Sequence, residues 1–297
     1  MFHPWFHLLQ RAGMNFNDGF GGGSTLEGNF MVATVMESGD HGPFNSWDRQ
    51  VWEWMDDSSG VPVKSIIKKY DEIKGNFFIG NYYGQEPIDN DDGSAYYNTH
   101  HNFFVSHPEL KLKIPAWMFC ISWCADFEFR VTQAYGGQSM KNGEEHRPHC
   151  PCSVKFELQL TCCRGPCRPD FNGHDNHHHH NIYGYMTGGM GICGALPGHA
   201  DQFYSNKIVL MGKASYAQYD CKCNATGTCP TMHDNQIYVD GGQFPATCGE
   251  TLAQRQAKGV DMGTAAQPLP SDEMVIEWAR ELLSLPASKN SGNPYSK

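Results

Sequence analysis

Residues 75–79 read Gly75-Asn76-Phe77-Phe78-Ile79, a small residue and an asparagine followed by an apolar run. The same pattern recurs along the chain. The asparagines of its copies are Asn29, Asn76, Asn102, Asn181, Asn206 and Asn235. They lie 47, 26, 79, 25 and 29 residues apart. A period in the twenties is typical of a solenoid, in which each unit buries its inner residues against its neighbours.

The repeated string predicts a tight corner followed by a short strand. Asn tolerates the left-handed backbone of such a corner, so we expect the asparagine to adopt it. Stacked asparagine side chains can hydrogen-bond to one another along the stack, and the apolar residues that follow alternate between two faces. A β-sandwich with asparagine-rich turns is the alternative, but sandwiches do not repeat one corner at a fixed period. The prediction is an all-β chain folded as a parallel β-helix.

The composition agrees with a β protein and excludes some partners. Hydrophobic residues make up 40% of the 297 residues and charged residues only 18%, and glycine occurs 32 times. This balance is typical of strands and turns. The formal net charge of −10 disfavours nucleic acid as a partner. No run of 18 apolar residues predicts a membrane span.

The spacing of the repeats predicts four regions. The long 79-residue spacing falls to one coil if about 55 residues are removed, so an insertion interrupts the repeat. The predicted regions are 11–105 (first part of the β-helix), 106–168 (cysteine-rich insertion), 169–247 (second part of the β-helix) and 248–297 (helical cap and disordered tail). In the last region, Ser271 is a good N-cap for a helix that starts at Asp272.

The insertion has two interpretations. Seven of the twelve cysteines lie between Cys120 and Cys167 and, with His146 and His149, offer enough ligands for a zinc module. Their spacings match no pair of zinc knuckles, however. We therefore favour the second interpretation, in which residues 106–168 are a gene-model artefact, such as translated intron, and do not belong to the mature protein.

The other cysteines indicate an extracellular location. Five of them (Cys193, Cys221, Cys223, Cys229 and Cys248) follow the insertion and fit a secreted protein with disulfides. Asn224-Ala225-Thr226 is a possible glycosylation site. Residues 1–10 lack the basic start and apolar core of a signal peptide, so we expect a truncated N-terminus.

Three stretches are richer in polar groups than a corner requires: 37–49, 86–97 and 172–180. Hydrolysis of a glycosidic bond needs two carboxyl groups across that bond. Asp91 and Asp92 are adjacent and therefore face opposite sides of a strand, so we expect one of them to pair with Asp40 or Asp48 of an earlier coil. A plain turn is the alternative for 91–94. The run His177–His180 is interpreted as a corner with rings alternately inside and outside, in preference to a metal site.

At these residues the chain resembles the right-handed parallel β-helix proteins of the pectin-lyase-like superfamily, and most closely its glycoside hydrolases. The resemblance rests on residues 12–23, 38–49 and 89–94 and covers about 11–105 and 170–247. It implies catalytic roles for Asp40 and for Asp91 or Asp92. The substrate-binding candidates are His41, Trp47, Asp48, Arg49, Glu86, Tyr96, His174 and Asp175.

The predicted function is therefore hydrolysis of a polysaccharide or oligosaccharide through paired carboxylates, without a metal or cofactor. A non-catalytic carbohydrate-binding or structural β-helix is the alternative. A polysaccharide lyase is a further one, which would use Ca²⁺ held by these acids and a basic residue. The shortage of lysine and arginine near the acids disfavours the lyase.

Overall fold

A computed structural model describes the following residues: 5–7, 12–17, 22–35, 42–47, 53–55, 62–64, 69–79, 87–91, 94–105, 158–161, 174–186, 188–192, 199–218 and 229–284. The chain divides into two units, one made of 1–108 with 155–297 and the other of 109–154. Every described residue belongs to the first unit.

The described strands form four parallel sheets. Sheet 1 contains β1 (Trp5–His7), β4 (Phe30–Val32), β9 (Phe77–Ile79), β12 (Phe103–Val105), β15 (Ile182–Met186), β18 (Lys207–Leu210), β21 (Gln236–Val239) and β22 (Ala265–Pro268), in that order. Sheet 2 contains β3 (Thr25–Glu27), β8 (Asp71–Lys74), β11 (Tyr97–His100), β14 (His177–His179), β17 (Gln202–Tyr204) and β20 (Thr231–His233).

Two shorter sheets and a hairpin complete this set of strands. Sheet 3 contains β2 (Met14–Asn17), β5 (Phe44–Trp47) and β10 (Ile88–Asp91), and sheet 4 contains β13 (Leu158–Thr161), β16 (Met190–Ile192) and β19 (Ala217–Gln218). The antiparallel hairpin consists of β6 (Glu53–Met55) and β7 (Pro62–Lys64). Strand β13 lies inside the segment that the sequence predicts as an insertion, and it pairs in parallel with β16.

From β8 to β19 the strands follow one repeating order along the chain: sheet 2, then sheet 1, then sheet 3 or 4. Such an order needs no hairpin between neighbouring strands, because each strand pairs with one from the previous round of the cycle. The described part of the chain is thus mostly β with parallel sheets, consistent with the all-β prediction and compatible with a parallel β-helix.

The repeated asparagines form one continuous row, the asparagine ladder: Asn29, Asn76, Asn102, Asn181, Asn206 and Asn235. At each step the backbone N–H and the side-chain Nδ2 of one asparagine donate to Oδ1 of the next, at 2.9–3.2 Å. From Asn76 onward, Nδ2 also donates to a backbone carbonyl of an adjacent strand, at 2.8–3.0 Å. The predicted hydrogen-bonded stack is confirmed, and all six side chains are buried.

The left-handed corner was assigned to the wrong residue. The asparagines themselves do not have positive φ; the residue before each one does, with φ between 53° and 68°. These residues are Gly28, Gly75, His101, His180, Ser205 and Asp234. Because hydrogen bonds fix each ladder asparagine, the residue before it adopts the left-handed backbone of the corner.

The interior between sheets 1 and 2 contains two rows of buried side chains. On sheet 2 these alternate with half-buried or exposed residues, whereas on sheet 1 most of the residues between them are buried too. The row of sheet 2 is Leu26, Ile73, Thr99, His178, Phe203 and Met232. The row of sheet 1 is Met31, Phe78, Phe104, Tyr183, Ile208 and Ile237. The rings of Phe78 and Phe104 stack at 4.8 Å and those of Phe104 and Tyr183 at 4.9 Å. Burial of one such large side chain contributes about 1.5–3 kcal/mol.

At its C-terminal end the ladder meets a buried ion pair. Asn235 donates its backbone N–H to Thr264 Oγ1 at 3.2 Å and its Nδ2 to the hydroxyl of Tyr216 at 2.9 Å. Tyr216 in turn donates to Asp261, whose other carboxylate oxygen accepts from Arg255 Nε at 2.5 Å. Arg255 belongs to helix α1 (Leu252–Gln256). The last asparagine thus keeps its partners although no further asparagine follows in the ladder.

Helix α2 (Asp272–Leu282) contacts sheet 1 from outside. Ser271 caps it by accepting from the N–H of Met274. Trp278 packs on Tyr238 of β21 with 4.9 Å between ring centroids, and Lys207 Nζ of β18 lies 4.6 Å from the Trp278 ring. Neither α-helix in the described ranges is long and apolar enough to cross a membrane.

Replacing Asn102 with alanine removes the acceptor of the Asn76 backbone N–H and the donor to Ile73 O, both buried. Unsatisfied buried groups cost about 1–3 kcal/mol each, so we expect the free energy of unfolding to fall by at least about 2 kcal/mol. Urea unfolding followed by circular dichroism measures this. The half-exposed Asn98 on β11 is the control, and Asn98→Ala should cost about 1 kcal/mol or less. Equal losses would contradict a special role for the ladder.

Substitution of Thr99 by valine should stabilise the folded chain. Its side chain is fully buried in the sheet 2 row, and its hydroxyl has no hydrogen-bond partner within the described part of the chain. Thr99→Val replaces that hydroxyl by a methyl group of similar size, so we expect about 1 kcal/mol of added stability. Thermal unfolding measures it, with the exposed Thr231→Val as a near-neutral control. A lower melting temperature for Thr99→Val would show that the hydroxyl is satisfied.

Candidate functional site

Six of the predicted site residues lie outside the described residues: Asp40, His41, Asp48, Arg49, Glu86 and Asp92. The predicted pairing of Asp40 with Asp91 or Asp92 therefore stays a prediction. The five that are described fall into two groups, one on sheet 3 and one at the corner before β14. They are Trp47 and Asp91 in the first group, and Tyr96, His174 and Asp175 in the second.

Sheet 3 places Asp91 beside Trp47. The two residues are register partners on the neighbouring strands β10 and β5, and Asp89 is the partner of Asn45 in the same pairing. Asn90 and Ser46 between them point into the core, because Asn90 Nδ2 donates to Ser46 Oγ at 2.8 Å and Asn90 Oδ1 lies 3.2 Å from buried His178 Nε2.

Successive side chains of a strand point to opposite faces, so the residues on either side of Asn90 and Ser46 share the other face of sheet 3. We call this the polar face, and it consists of Asn45, Trp47, Asp89 and Asp91. Trp47 and Asp91 are half-buried, whereas Asp89 is 3% and Asn45 is 2% exposed. Two carboxylates, an amide and an indole thus lie in a block of two strands.

Asp89 is a candidate that reasoning from the sequence missed. The adjacent pair Asp91 and Asp92 drew attention, although adjacent residues of a strand cannot share a face. Residues 89 and 91 share one, and a rise of about 3.3 Å per residue puts their Cα atoms about 6.6 Å apart. The separation by two in Asp89-Asn90-Asp91 was the available signal.

A chain of buried polar groups lies on the core side of sheet 3, opposite the polar face. Ser94 Oγ lies 2.8 Å from Ser46 Oγ, which accepts from Asn90, and Asn90 faces His178. His178 Nδ1 lies 3.4 Å from the hydroxyl of Tyr183. Burial, with smaller contributions from neighbouring histidines, lowers the pKa of His178 to about 3, so the ring is neutral at ordinary pH.

The second group gathers around Asp175. Its Oδ2 lies 2.9 Å from His174 Nδ1 and 2.7 Å from His199 Nδ1. We call these three residues the His–Asp–His cluster. The ring of Tyr96 packs edge-on against His174 with 5.5 Å between centroids. Although burial opposes ionisation of Asp175, the hydrogen bonds from His174 and His199 outweigh it and lower the pKa of Asp175.

The histidine run is not a corner as predicted, because His177–His179 form strand β14 and only His180 has the left-handed backbone, but its rings alternate in burial as predicted. His178 is buried, whereas His177 and His179 on either side of it are half-buried and face outward. His179 belongs to a row of stacked rings on the outer face of sheet 2, the ring row, which consists of His100, His179, Tyr204 and His233. Neighbouring centroids in this row are 4.9–5.0 Å apart.

The two groups of site residues are linked through Ser94. Its backbone N–H donates to Asp91 O at 2.9 Å, and its carbonyl accepts from the N–H of His174 at 3.1 Å. Backbone hydrogen bonds to Ser94 therefore connect Asp91 of the polar face with His174 of the His–Asp–His cluster. The chain matches no family model, no curated protein and no solved structure, so the assignment depends on this geometry.

His178 gives a testable pH dependence. Its pKa is about 3 in the folded chain against 6.5 for an unperturbed histidine, so the unfolded chain binds more protons between these values. Stability is therefore lost as the pH falls from about 6.5 toward about 3. His178→Gln, which keeps a donor toward Asn90, should lower the slope of unfolding free energy against pH by about 1.4 kcal/mol per pH unit near pH 5. Urea unfolding over a pH series measures both slopes, and equal slopes would contradict the prediction.

Proposed function

We propose that the chain is a right-handed parallel β-helix protein that binds a polysaccharide at the polar face of sheet 3 and hydrolyses its glycosidic bonds. The observation that carries this proposal is the placement of Asp89 and Asp91 on one face of β10, beside Trp47. The repeating order of the parallel sheets and the sequence resemblance to β-helix glycoside hydrolases support it.

The spacing of the two carboxyl groups suits glycoside hydrolysis. Their Cα atoms are about 6.6 Å apart by strand geometry. Retaining glycosidases hold their carboxyl groups about 5–5.5 Å apart and inverting ones about 6.5–9.5 Å apart. Outward side chains on one strand stay near the Cα separation, so the pair falls within the range that these two mechanisms span.

The surroundings of the two acids suggest different roles for them. Asp89 is 3% exposed and is the candidate for the general acid, because it is shielded from bulk water. Asp91 is half-buried, which leaves it accessible to water or substrate as the base or nucleophile. Trp47, its register partner, offers a flat apolar surface to a sugar ring.

A non-catalytic carbohydrate-binding or structural protein is the second candidate. The near-complete burial of Asp89 and Asn45 favours it, because a substrate must reach both acids for hydrolysis. In this case Asp91 and Trp47 bind sugar from the accessible part of the polar face, and Asp89 and Asn45 stabilise the strands below it.

An extracellular location fits this function. Cys229 and Cys248 are disulfide-bonded, as is typical of proteins that fold in an oxidising compartment. The net charge of −10 keeps nucleic acid an improbable ligand. We propose secretion and a polysaccharide partner together, since both follow from a β-helix protein that acts on carbohydrate.

Release of reducing sugars from a panel of plant and algal polysaccharides tests the proposal. Asp89→Asn and Asp91→Asn should each lower the turnover by at least about 100-fold, the usual contribution of a general acid or base. Asp234→Asn is the matched control: the same chemical change at an exposed corner of sheet 2, where φ is 54° and asparagine fits. Circular dichroism checks that each variant is folded.

Binding measured by affinity gel electrophoresis separates the two candidates. Retardation by a polysaccharide, reduced in Trp47→Ala, without turnover would establish the binding protein and contradict hydrolysis. Products that absorb in the ultraviolet would indicate an unsaturated sugar and therefore a lyase. A folded chain that neither cleaves nor binds any member of the panel would overturn the proposal.

A further inference from the structure

Three metal-ligating atoms converge between the corners that precede β14 and β17. His174 Nδ1, Asp175 Oδ2 and His199 Nδ1 all lie within 4.8 Å of one another. The carboxylate oxygen is 2.9 Å from one imidazole nitrogen and 2.7 Å from the other, and the two rings are 5.0 Å apart. Within the described part of the chain, this is the one group of three such residues with this geometry.

The donor set and its dimensions suit zinc. Two imidazoles and a carboxylate are a set that binds Zn²⁺ tetrahedrally and leaves one position for water or a substrate atom. Ligand atoms about 2.0–2.1 Å from a tetrahedral zinc ion are about 3.3–3.4 Å from one another. Asp175 Oδ2 therefore needs to move only about half an ångström further from each of the two nitrogens to admit the ion.

A second observation concerns Asp201, the acidic residue next to the cluster. Asp201 is fully buried two residues after His199, and its Oδ1 accepts from the backbone N–H of Asn176, next to Asp175. Its other oxygen, Oδ2, has no hydrogen-bond partner among the described residues. Burial of a polar atom without a hydrogen-bond partner is costly, and an ion bound at the adjacent cluster would offset that cost.

The backbone holds two of the ligands rigidly. His174 is fully buried and pairs with Ala95, and its carbonyl accepts from the N–H of Tyr96. Asp175 occupies a left-handed position with φ of 54°, which turns its side chain out of the regular strand pattern. His199 lies 25 residues after His174, the spacing that also separates Asn181 from Asn206 in the asparagine ladder.

We propose that His174, Asp175 and His199 form a Zn²⁺ site. In the absence of metal, Asp175 accepts a hydrogen bond from each imidazole, which keeps the three donors together. When zinc binds, each Nδ1 coordinates the ion and the single proton of each neutral ring resides on Nε2 instead of Nδ1, so that no net proton is released. The site differs from the polar face and does not depend on the proposed glycoside hydrolysis.

Other histidines of the chain are the main competitors for the metal. In the pairs His100–His101 and His179–His180, two Nδ1 atoms lie 2.8 Å apart on the outer face of sheet 2. Among the described residues, neither pair belongs to a group of three convergent ligands, and the carboxylate of Glu72 faces His100 Nε2. A zinc titration must therefore distinguish the two places.

Isothermal titration of the chelator-dialysed full chain with Zn²⁺ tests the proposal. Asp175→Asn, which suits the left-handed backbone, and His199→Gln should each weaken the zinc dissociation constant by at least about 100-fold or lower the stoichiometry by one. The matched control is His100→Gln combined with His179→Gln, which removes two half-exposed imidazoles and should leave the cluster's affinity unchanged. Circular dichroism checks the fold of every variant.

Cobalt substitution gives a second readout. Co²⁺ in a tetrahedral site produces intense visible absorption bands, which the wild type and the control should show and His199→Gln should lose. Failure of the wild type to bind zinc would overturn the proposal. So would binding that survives both cluster variants, or binding that the His100 and His179 changes abolish, since the ring row would then be the site.

Discussion

The hydrogen bond between one asparagine side chain and the next is the interaction on which the described structure depends. Each asparagine of the ladder lies between a strand of sheet 2 and the following strand of sheet 1; Asn102, for example, lies between β11 and β12. Because its amide uses donors and acceptor in fixed directions, it sets the register of both sheets at once. On sheet 2, a shift of the register by one residue would expose the buried row and bury the half-buried residues between its members.

That register explains where the polar groups can gather. Strand alternation leaves every second residue facing outward, so like positions of successive strands form rows. Asp89 and Asp91 share the polar face for this reason, and His100, His179, Tyr204 and His233 stack in the ring row. The His–Asp–His cluster arises in the same way, from equivalent corners of two successive strands of sheet 2.

The sequence was sufficient for the ladder, the parallel β character and the alternation of His177, His178 and His179. It could not assign the left-handed position, because glycine, histidine, serine and aspartate all occupy it and share no side-chain pattern. Asp89 and His199 were predictable in principle: the first from its separation by two from Asp91, the second from its distance of 25 residues to His174. They were missed because the carboxylate pair was sought across two coils, and the histidines were considered within one run.

The geometry of a ladder step does not depend on how many residues connect its two asparagines. Asn76 and Asn102 are 26 residues apart and Asn102 and Asn181 are 79 apart, yet the side-chain hydrogen bonds measure 3.0 and 3.1 Å. Loop-closure entropy grows slowly with chain length, so a separation of 79 residues costs only about 1 kcal/mol more than one of 26, which the hydrogen bonds of a single ladder step offset. New segments can therefore be added by evolution or by design between β12 and β14 while the strands on either side keep their pairing.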